Sequence, residues 1–304
     1  MPYLFLRCLL RFVCFRYENW LSVTRMLFTV ITGLAAIGSA AICGGMGGFG
    51  SFAWLWMVPS FFVLLWLALT AAMFGVLIIA LNRVDQEVPQ EEDDPFFRTV
   101  AKLLVPFIKT VLGLRVETRG LENIPKEGRF MLVCNHLDDS DPAVLLHYFR
   151  NYQLAFISKR ENKDMFIVGK LMHKLQCQLV NRENDREALK CILKCIEILK
   201  NDRASVAVFP EGYESLDGRL LPFRPGVFKI AQKAQVPIVV CTLQGTENVI
   251  RNLKKLKPLP KVQLHLLEVI PAEELVGKTT VDIAQRVRAL MLSDLDEKYQ
   301  PISE

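Results

Sequence analysis

Residues 129–144 read RFMLVCNHLDDSDPAV. The near-continuous apolar run ending at Cys134 has no in–out alternation, which is the pattern of a strand covered on both faces, as in a parallel sheet flanked by helices. It stops at an imidazole, His136, followed by the carboxylates Asp138, Asp139 and Asp141, and then Pro142. The carboxyl ends of strands are where α/β sheets hold ligands. Asp141 before Pro142 also has the form of a helix N-cap followed by proline at the first helical position. Capping alone is a sufficient job for Asp141. A second role is compatible with it: one carboxylate oxygen caps while the other takes the imidazole N–H, which fixes the tautomer and leaves the far ring nitrogen free to accept a proton.

Working outward, short apolar strands alternate with helical segments. Strands are expected in LRVETR (114–119), RFMLVCN (129–135), YQLAFIS (152–158), CQLVN (177–181), ASVAVFP (204–210), PIVVCTL (237–243) and VQLHLLEVI (262–270). Helices are expected in PAVLLHYFR (142–150), DMFIVGKLMHKL (164–175), DREALKCILKCIEILK (185–200), GVFKIAQKA (226–234) and from 279 to 299. The helix at 185–200 places Leu189, Ile192, Leu193, Ile196 and Leu199 at helical spacing, and Cys191 and Cys195 on one face. This alternation predicts an α/β domain with a largely parallel central sheet.

The N-terminal third has a different composition. Hydrophobic residues make up 51% of the chain, and from Met26 to Asn82 no charged residue occurs. Roughly 20 apolar residues cross a bilayer as a helix. The glycine-rich CGGMGGFGS (43–51) divides the run, so two spans are expected, at 26–42 and 53–81, with Pro59 able to shorten or kink the second. A secretory signal is the alternative for the first span, opposed by the apolar segment that follows at once. Arg7, Arg11, Arg16 and Arg25 precede the pair and Arg83 follows it, which places both ends on the cytoplasmic side of a cytoplasmic membrane. The expected organisation is a membrane hairpin in 1–83, a solvated acidic linker in 84–95 and the α/β domain in 96–304. The first helix of that domain, from Phe96, is amphipathic, with Lys and Arg opposite its apolar side and Pro106 as a possible interruption; it faces a core or a bilayer.

Other features narrow the chemistry. The formal net charge of +5 suits an anionic membrane surface or phosphorylated ligands and not a dedicated nucleic-acid binder. Eight cysteines occur without a Cys-x-x-Cys pair, so free, mostly buried thiols are expected. No Gly-x-Ser-x-Gly elbow is present, VGKTT (276–280) lacks the first glycine of a phosphate loop, and no zinc-ligand spacing occurs. His147 reads as a packing residue, and no partner is evident for His173 or His265. FPEGYESLDGRLLPFRPG (209–226) follows a buried strand, so its Pro-Glu-Gly turn falls at the same sheet edge as His136. Arg224 then precedes a helix start, an arrangement that suits an anion. Lys159, in SKRENKD (158–164), is a candidate phosphate contact set against an ordinary charged loop. RNLKKLKPLPK (251–261) reads as a solvated basic face, with an anionic surface as the alternative.

These blocks resemble the glycerolipid acyltransferase family typified by bacterial 1-acylglycerol-3-phosphate acyltransferase. The His-x4-Asp block is NHLDDSD, with His136 and Asp141. The block ending in Arg is CQLVNR, with Arg182. The Phe-Pro-Glu-Gly block runs from Phe209 to Gly212, and the Val-Pro-Ile block is VPIVVC (236–241). The resemblance covers roughly residues 100–245. Departures from the pattern are Asp138 for Ser, Gln176 for Gly, Val240 for Pro, and Tyr213-Glu214 for Thr-Arg. The resemblance implies acyl transfer from acyl-CoA or acyl carrier protein to a lysophospholipid hydroxyl, with no further cofactor and with membrane lipids as surroundings. It implies His136 as general base, Asp141 as its orienting acid and Arg182 on the acceptor phosphate. Glu211 is expected to orient a donor: the Gly212 turn, Arg182 or the glycerol hydroxyl. Gly212 is expected to let the backbone approach the ligand. The alternatives are another lipid acceptor, a hydrolase, or an inactive lipid-binding scaffold.

Overall fold

The computed structural model describes residues 23–50, 52–181, 184–215 and 217–301. The chain divides into two compact units, Met1–Met73 and Phe74–Glu304. Two helices begin it, α1 (Val23–Gly45) and α2 (Trp54–Asn82). The glycine cluster separates them as expected: Gly47 adopts a left-handed φ of 68°, and a Cβ on Gly48 would lie 2.7 Å from Cys43 Sγ. Pro59 does not shorten α2, which runs through it. Among the described residues α2 is the one helix long and apolar enough to cross a membrane, with mean hydropathy 2.6; Thr29–Gly45 is a shorter apolar stretch. The division between the two units falls inside α2, where Leu77 and Leu81 are buried with Phe97 of α3 (Pro95–Leu112).

The larger unit is built on a seven-stranded sheet. Its elements follow in chain order: β1 (Arg115–Arg119), β2 (Met131–Cys134), α4 (Asp141–Tyr148), β3 (Leu154–Lys159), α5 (Val168–Lys174), β4 (Gln178–Val180), α6 (Asp185–Lys200), β5 (Ser205–Val208), α7 (Lys229–Ala234), β6 (Ile238–Gln244), α8 (Val249–Lys254), β7 (Lys261–Ile270) and α9 (Thr280–Asp294). The strand order is β1-β7-β6-β2-β5-β3-β4. Every pairing is parallel except β6 with β7, which is antiparallel and carries an irregularity between Val240 and Cys241. The short helix α8 was not expected; it overlaps the start of the basic stretch 251–261 and buries Val249.

Both faces of the central strands are covered, which accounts for the unbroken apolar runs. On β2, Met131 and Val133 join one core with α6, α7 and α9, while Leu132 and Cys134 join the other with Val144 and Leu145 of α4. The neighbouring strands β2 and β5 therefore lead to helices on opposite faces. Such a divergence leaves a crevice at their carboxyl ends.

Three local expectations are corrected. On α6 the inward stripe is Cys191, Cys195, Ile198 and Leu199, whereas Leu189 and Leu193 are 52% and 56% exposed. The two cysteines do share a face, rotated from the leucine stripe that the hydrophobicity pattern favours. On α3, Arg98 does not lie on a solvent side: it is 5% exposed and forks onto Asp93 at 2.6 Å. It also donates to the carbonyls of Leu154 at 2.8 Å and Leu175 at 3.3 Å, so its charge and its donors are matched within the fold. The acidic segment is consequently not all solvated, since Asp93 is buried against Arg98 and Asp94 caps α3 through the N–H groups of Phe96 and Phe97. Pro106 sits inside α3 without ending it.

Candidate active site

His136 follows β2 and is buried, and its position is fixed by both neighbouring strands. On one side Asn135 bridges to β6: its side-chain amide donates to the Leu243 carbonyl at 2.9 Å, and its oxygen accepts from Leu243 N at 2.7 Å. On the other side the loop after β5 holds the main chain of His136 itself. His136 N donates to Glu211 Oε1 at 2.8 Å, and Ser215 N donates to His136 O at 3.1 Å. The imidazole lies flat against Phe209, with ring centroids 4.1 Å apart and an interplanar angle of 15°. Asn135 and Phe209 are functional positions that single-residue reasoning passed over. Their signal is adjacency, one directly before His136 and the other opening the Phe-Pro-Glu-Gly block.

Asp141 is fully buried, and its Oδ2 is 2.8 Å from His136 Nδ1. A carboxylate only accepts hydrogen bonds, so Nδ1 carries the proton and Nε2 presents its lone pair outward. The same Oδ2 accepts from Leu137 N at 2.6 Å and Asp138 N at 3.0 Å. The capping expectation for Asp141 is therefore wrong. Asp141 is the first residue of α4, the N-cap position is Ser140, and the donors that Asp141 satisfies lie upstream of the helix. Its other oxygen has no hydrogen-bond partner and caps nothing. Pro142 does occupy the first turn, as the sequence indicated.

Glu211 is held by the main chain. Both oxygens are taken by main-chain donors, Oε1 by His136 N and Oε2 by Leu221 N at 2.7 Å. Among the described residues it therefore braces the turn after β2 against the loop after β5; Arg182, the side chain it was expected to orient, lies outside them. Burial pushes its carboxyl up to about 7 against the pull of those two N–H groups. The sign of the linkage follows. Between about 4.5 and about 7 the folded chain retains a proton on Glu211 that the unfolded chain has released, so stability from this group falls as pH rises through that window, by on the order of 3 kcal/mol. Glu211→Gln should flatten that part of a Tm-against-pH curve while lowering Tm at the acidic end, because the amide nitrogen cannot accept a main-chain N–H. Parallel curves for the two proteins would contradict the brace.

Gly212 has φ 78°, and a Cβ there would lie 2.8 Å from Arg224 Nε. The left-handed φ is what favours glycine here, and Arg224 packs over it with its guanidinium carbon 5.1 Å from the Tyr213 ring centre. Arg224 N donates to Pro210 O, so Arg224 borders the same loop. Lys159 ends β3, and its Nζ is 3.7 Å from Glu214 Oε1. That same oxygen is 3.7 Å from His136 Nε2. The structure thus brings His136, Asp141, Glu211, Gly212, Lys159 and Arg224 to one sheet edge. Arg182, expected on the acceptor phosphate, lies outside the described residues. Gln176, at the family's glycine position, has φ 63°, the left-handed conformation that glycine adopts without strain.

The other residues take no part in this pair. Cys134 closes β2 but is wholly buried, and burial pushes its thiol well up, which disfavours a nucleophilic thiolate. His265 does have a partner, Asp294 Oδ2 at 2.9 Å, which also accepts from Thr242 Oγ1 at 2.5 Å. Burial lowers the His147 imidazole to about 4, which suits a packing residue.

A buried His–Asp pair at the crevice of a mostly parallel α/β sheet, with the imidazole's far nitrogen turned outward, is the apparatus of a base-catalysed transfer to a hydroxyl. Residues 115–244 match the family model Acyltransferase. It is 37% identical over 157 residues to the chloroplastic 1-acyl-sn-glycerol-3-phosphate acyltransferase BAT2 of Brassica napus, covering 50% of this chain and 43% of that protein. It is 29% identical over 205 residues to a probable 1-acyl-sn-glycerol-3-phosphate acyltransferase of Mycoplasma pneumoniae, covering 65% of this chain and 76% of that one. The crystal structure of the 1-acyl-sn-glycerophosphate acyltransferase of Thermotoga maritima superposes with a TM-score of 0.56 at 25% identity, covering 74% of this chain and 90% of that chain. The match to the Brassica protein thus spans less than half of that relative's length.

Proposed function

We propose that this protein transfers a fatty acyl group from a thioester, acyl-CoA or acyl carrier protein, to the free hydroxyl of 1-acylglycerol 3-phosphate, forming phosphatidic acid. The observation that carries this reading is the 2.8 Å contact between His136 Nδ1 and Asp141, which leaves Nε2 as the free base. His136 Nε2 removes the hydroxyl proton as that oxygen attacks the thioester carbonyl. The tetrahedral intermediate collapses with breakage of the C–S bond, and the proton on His136 returns to the departing thiolate. Asp141 stabilises the imidazolium between these steps. A thioester is already activated, so positioning and a base suffice, with no enzyme nucleophile and no cofactor beyond the acyl donor.

Arg182, which closes one of the matching blocks, and Lys159 and Arg224, which lie at the same sheet edge as His136, are assigned to the anionic headgroup, the arginines by the fit of guanidinium forks to phosphate oxygens and the lysine as a point charge. The apolar helices of the N-terminal unit are assigned to the cytoplasmic membrane, where the lipid acceptor already resides, with the catalytic domain on the cytoplasmic face. Purified protein in lipid, supplied with an acyl thioester and a panel of lysophospholipids, should release thiol in step with a phosphatidic acid product of the expected mass. Thiol release without an acylated lipid would make the protein a hydrolase.

A further inference from the structure

Glu214 faces the atom on which the reaction turns, and nothing in the chemistry described so far uses it. Its Oε1 is 3.7 Å from His136 Nε2 and 3.7 Å from Lys159 Nζ. The attacking hydroxyl must come within about 2.6–3.2 Å of Nε2. Neutral Nε2 and a carboxylate are both acceptors, and a hydroxyl has one hydrogen to give. With Glu214 in place, the carboxylate competes with Nε2 for that hydrogen and occupies the approach to it.

Glu214 is also held loosely compared with its neighbours. Asp141 and Glu211 are buried and tied to main-chain N–H groups, whereas Glu214 and Lys159 are 33% and 37% exposed. A half-exposed pair of this kind contributes little to stability, so separating it costs little. Burial and the nearby Asp139 raise the carboxyl pKa of Glu214, a sign that its charge is poorly accommodated there. A lipid phosphate entering the crevice would compete with Glu214 for Lys159 with greater charge and more acceptor oxygens.

We propose that Glu214 is a displaceable guard on the catalytic base, held over His136 by Lys159 and released when the acceptor's phosphate takes that lysine. The guard makes the phosphate a condition for productive approach, so it sets specificity for phosphorylated acceptors over neutral ones. This rests on the acyltransferase reading above.

The test compares kcat/KM for 1-acylglycerol 3-phosphate with that for 1-acylglycerol, using the full-length protein in lipid and one acyl thioester. For the wild type the phosphorylated acceptor should be strongly preferred. Glu214→Ala should narrow that preference about tenfold, mainly by raising use of the neutral acceptor, and Glu214→Gln should shift it the same way. Lys159→Met should reduce use of the phosphorylated acceptor, and adding Glu214→Ala should restore part of that loss. If both Glu214 variants lower kcat/KM for the two acceptors equally, or leave the ratio unchanged, the guard is wrong. A wild-type protein that releases thiol but acylates neither lipid would instead overturn the acyltransferase reading.

Discussion

His136→Ala should lower turnover by about 10²- to 10⁴-fold, the range for loss of a positioned general base. The fold should survive. Asp141 keeps the N–H groups of Leu137 and Asp138, so its buried charge is not orphaned when the imidazole goes. What remains is a cavity against Phe209, costing about 1–3 kcal/mol. The measurement is acyl transfer at saturating substrates, beside thermal unfolding followed by circular dichroism. A folded His136→Ala protein with near-normal transfer would end the assignment of the base.

Asp141→Asn should lower turnover over a similar range while leaving the protein folded. The amide oxygen can accept the Leu137 and Asp138 N–H groups, and the amide nitrogen can occupy the place of the carboxylate oxygen that has no partner. The negative charge that favours the imidazolium is removed. Stability should fall by only about 1–2 kcal/mol, the difference between charge-assisted and neutral hydrogen bonds. Asp141→Ala separates the two effects. It abandons two buried N–H groups as well as the charge, so both rate and stability should drop, and stability by more than in the Asn variant. Equal unfolding temperatures for the Asn and Ala proteins would show that Asp141 does not hold the 136–138 turn. A normal rate in the Asn variant would show that it does not support the base.

The sheet strands and most helices were legible because each is dictated by neighbours in sequence. FMLVC, VAVF and PIVVC are apolar throughout, as a strand covered on both faces requires, and the three run as adjacent parallel strands in the order β6-β2-β5. His136 and Glu211 could be placed at one edge because each follows such a strand and parallel strands end together. The helix face of α6 was less legible. Leucine and cysteine stripes compete on it, and hydrophobicity ranks the leucines first. The packing instead turns Cys191 and Cys195 inward, where a small side chain fits close beside the sheet.

The roles of individual polar groups depended on tertiary contacts. Asp141-Pro142 has the local form of a cap, yet the nearest donors in space are the N–H groups of the preceding turn and the imidazole. Glu211 lies beside a glycine turn in sequence, but its oxygens reach a strand end 75 residues earlier and a loop 10 residues later. Arg98 has helical spacing suited to solvent, but it meets the open carbonyls of β3 and α5 and an aspartate to balance its charge. His265 seemed isolated until α9 brought Asp294 to it across 29 residues. By itself the sequence determined the α/β alternation, the edge where chemistry occurs and the His–Asp pair, because periodicity and short spacing are local properties of a chain. The tertiary structure alone decided which oxygen meets which donor and that Glu214 stands before His136 Nε2, because a hydrogen bond is made by whatever group the fold brings within 3 Å, however far away it lies in sequence.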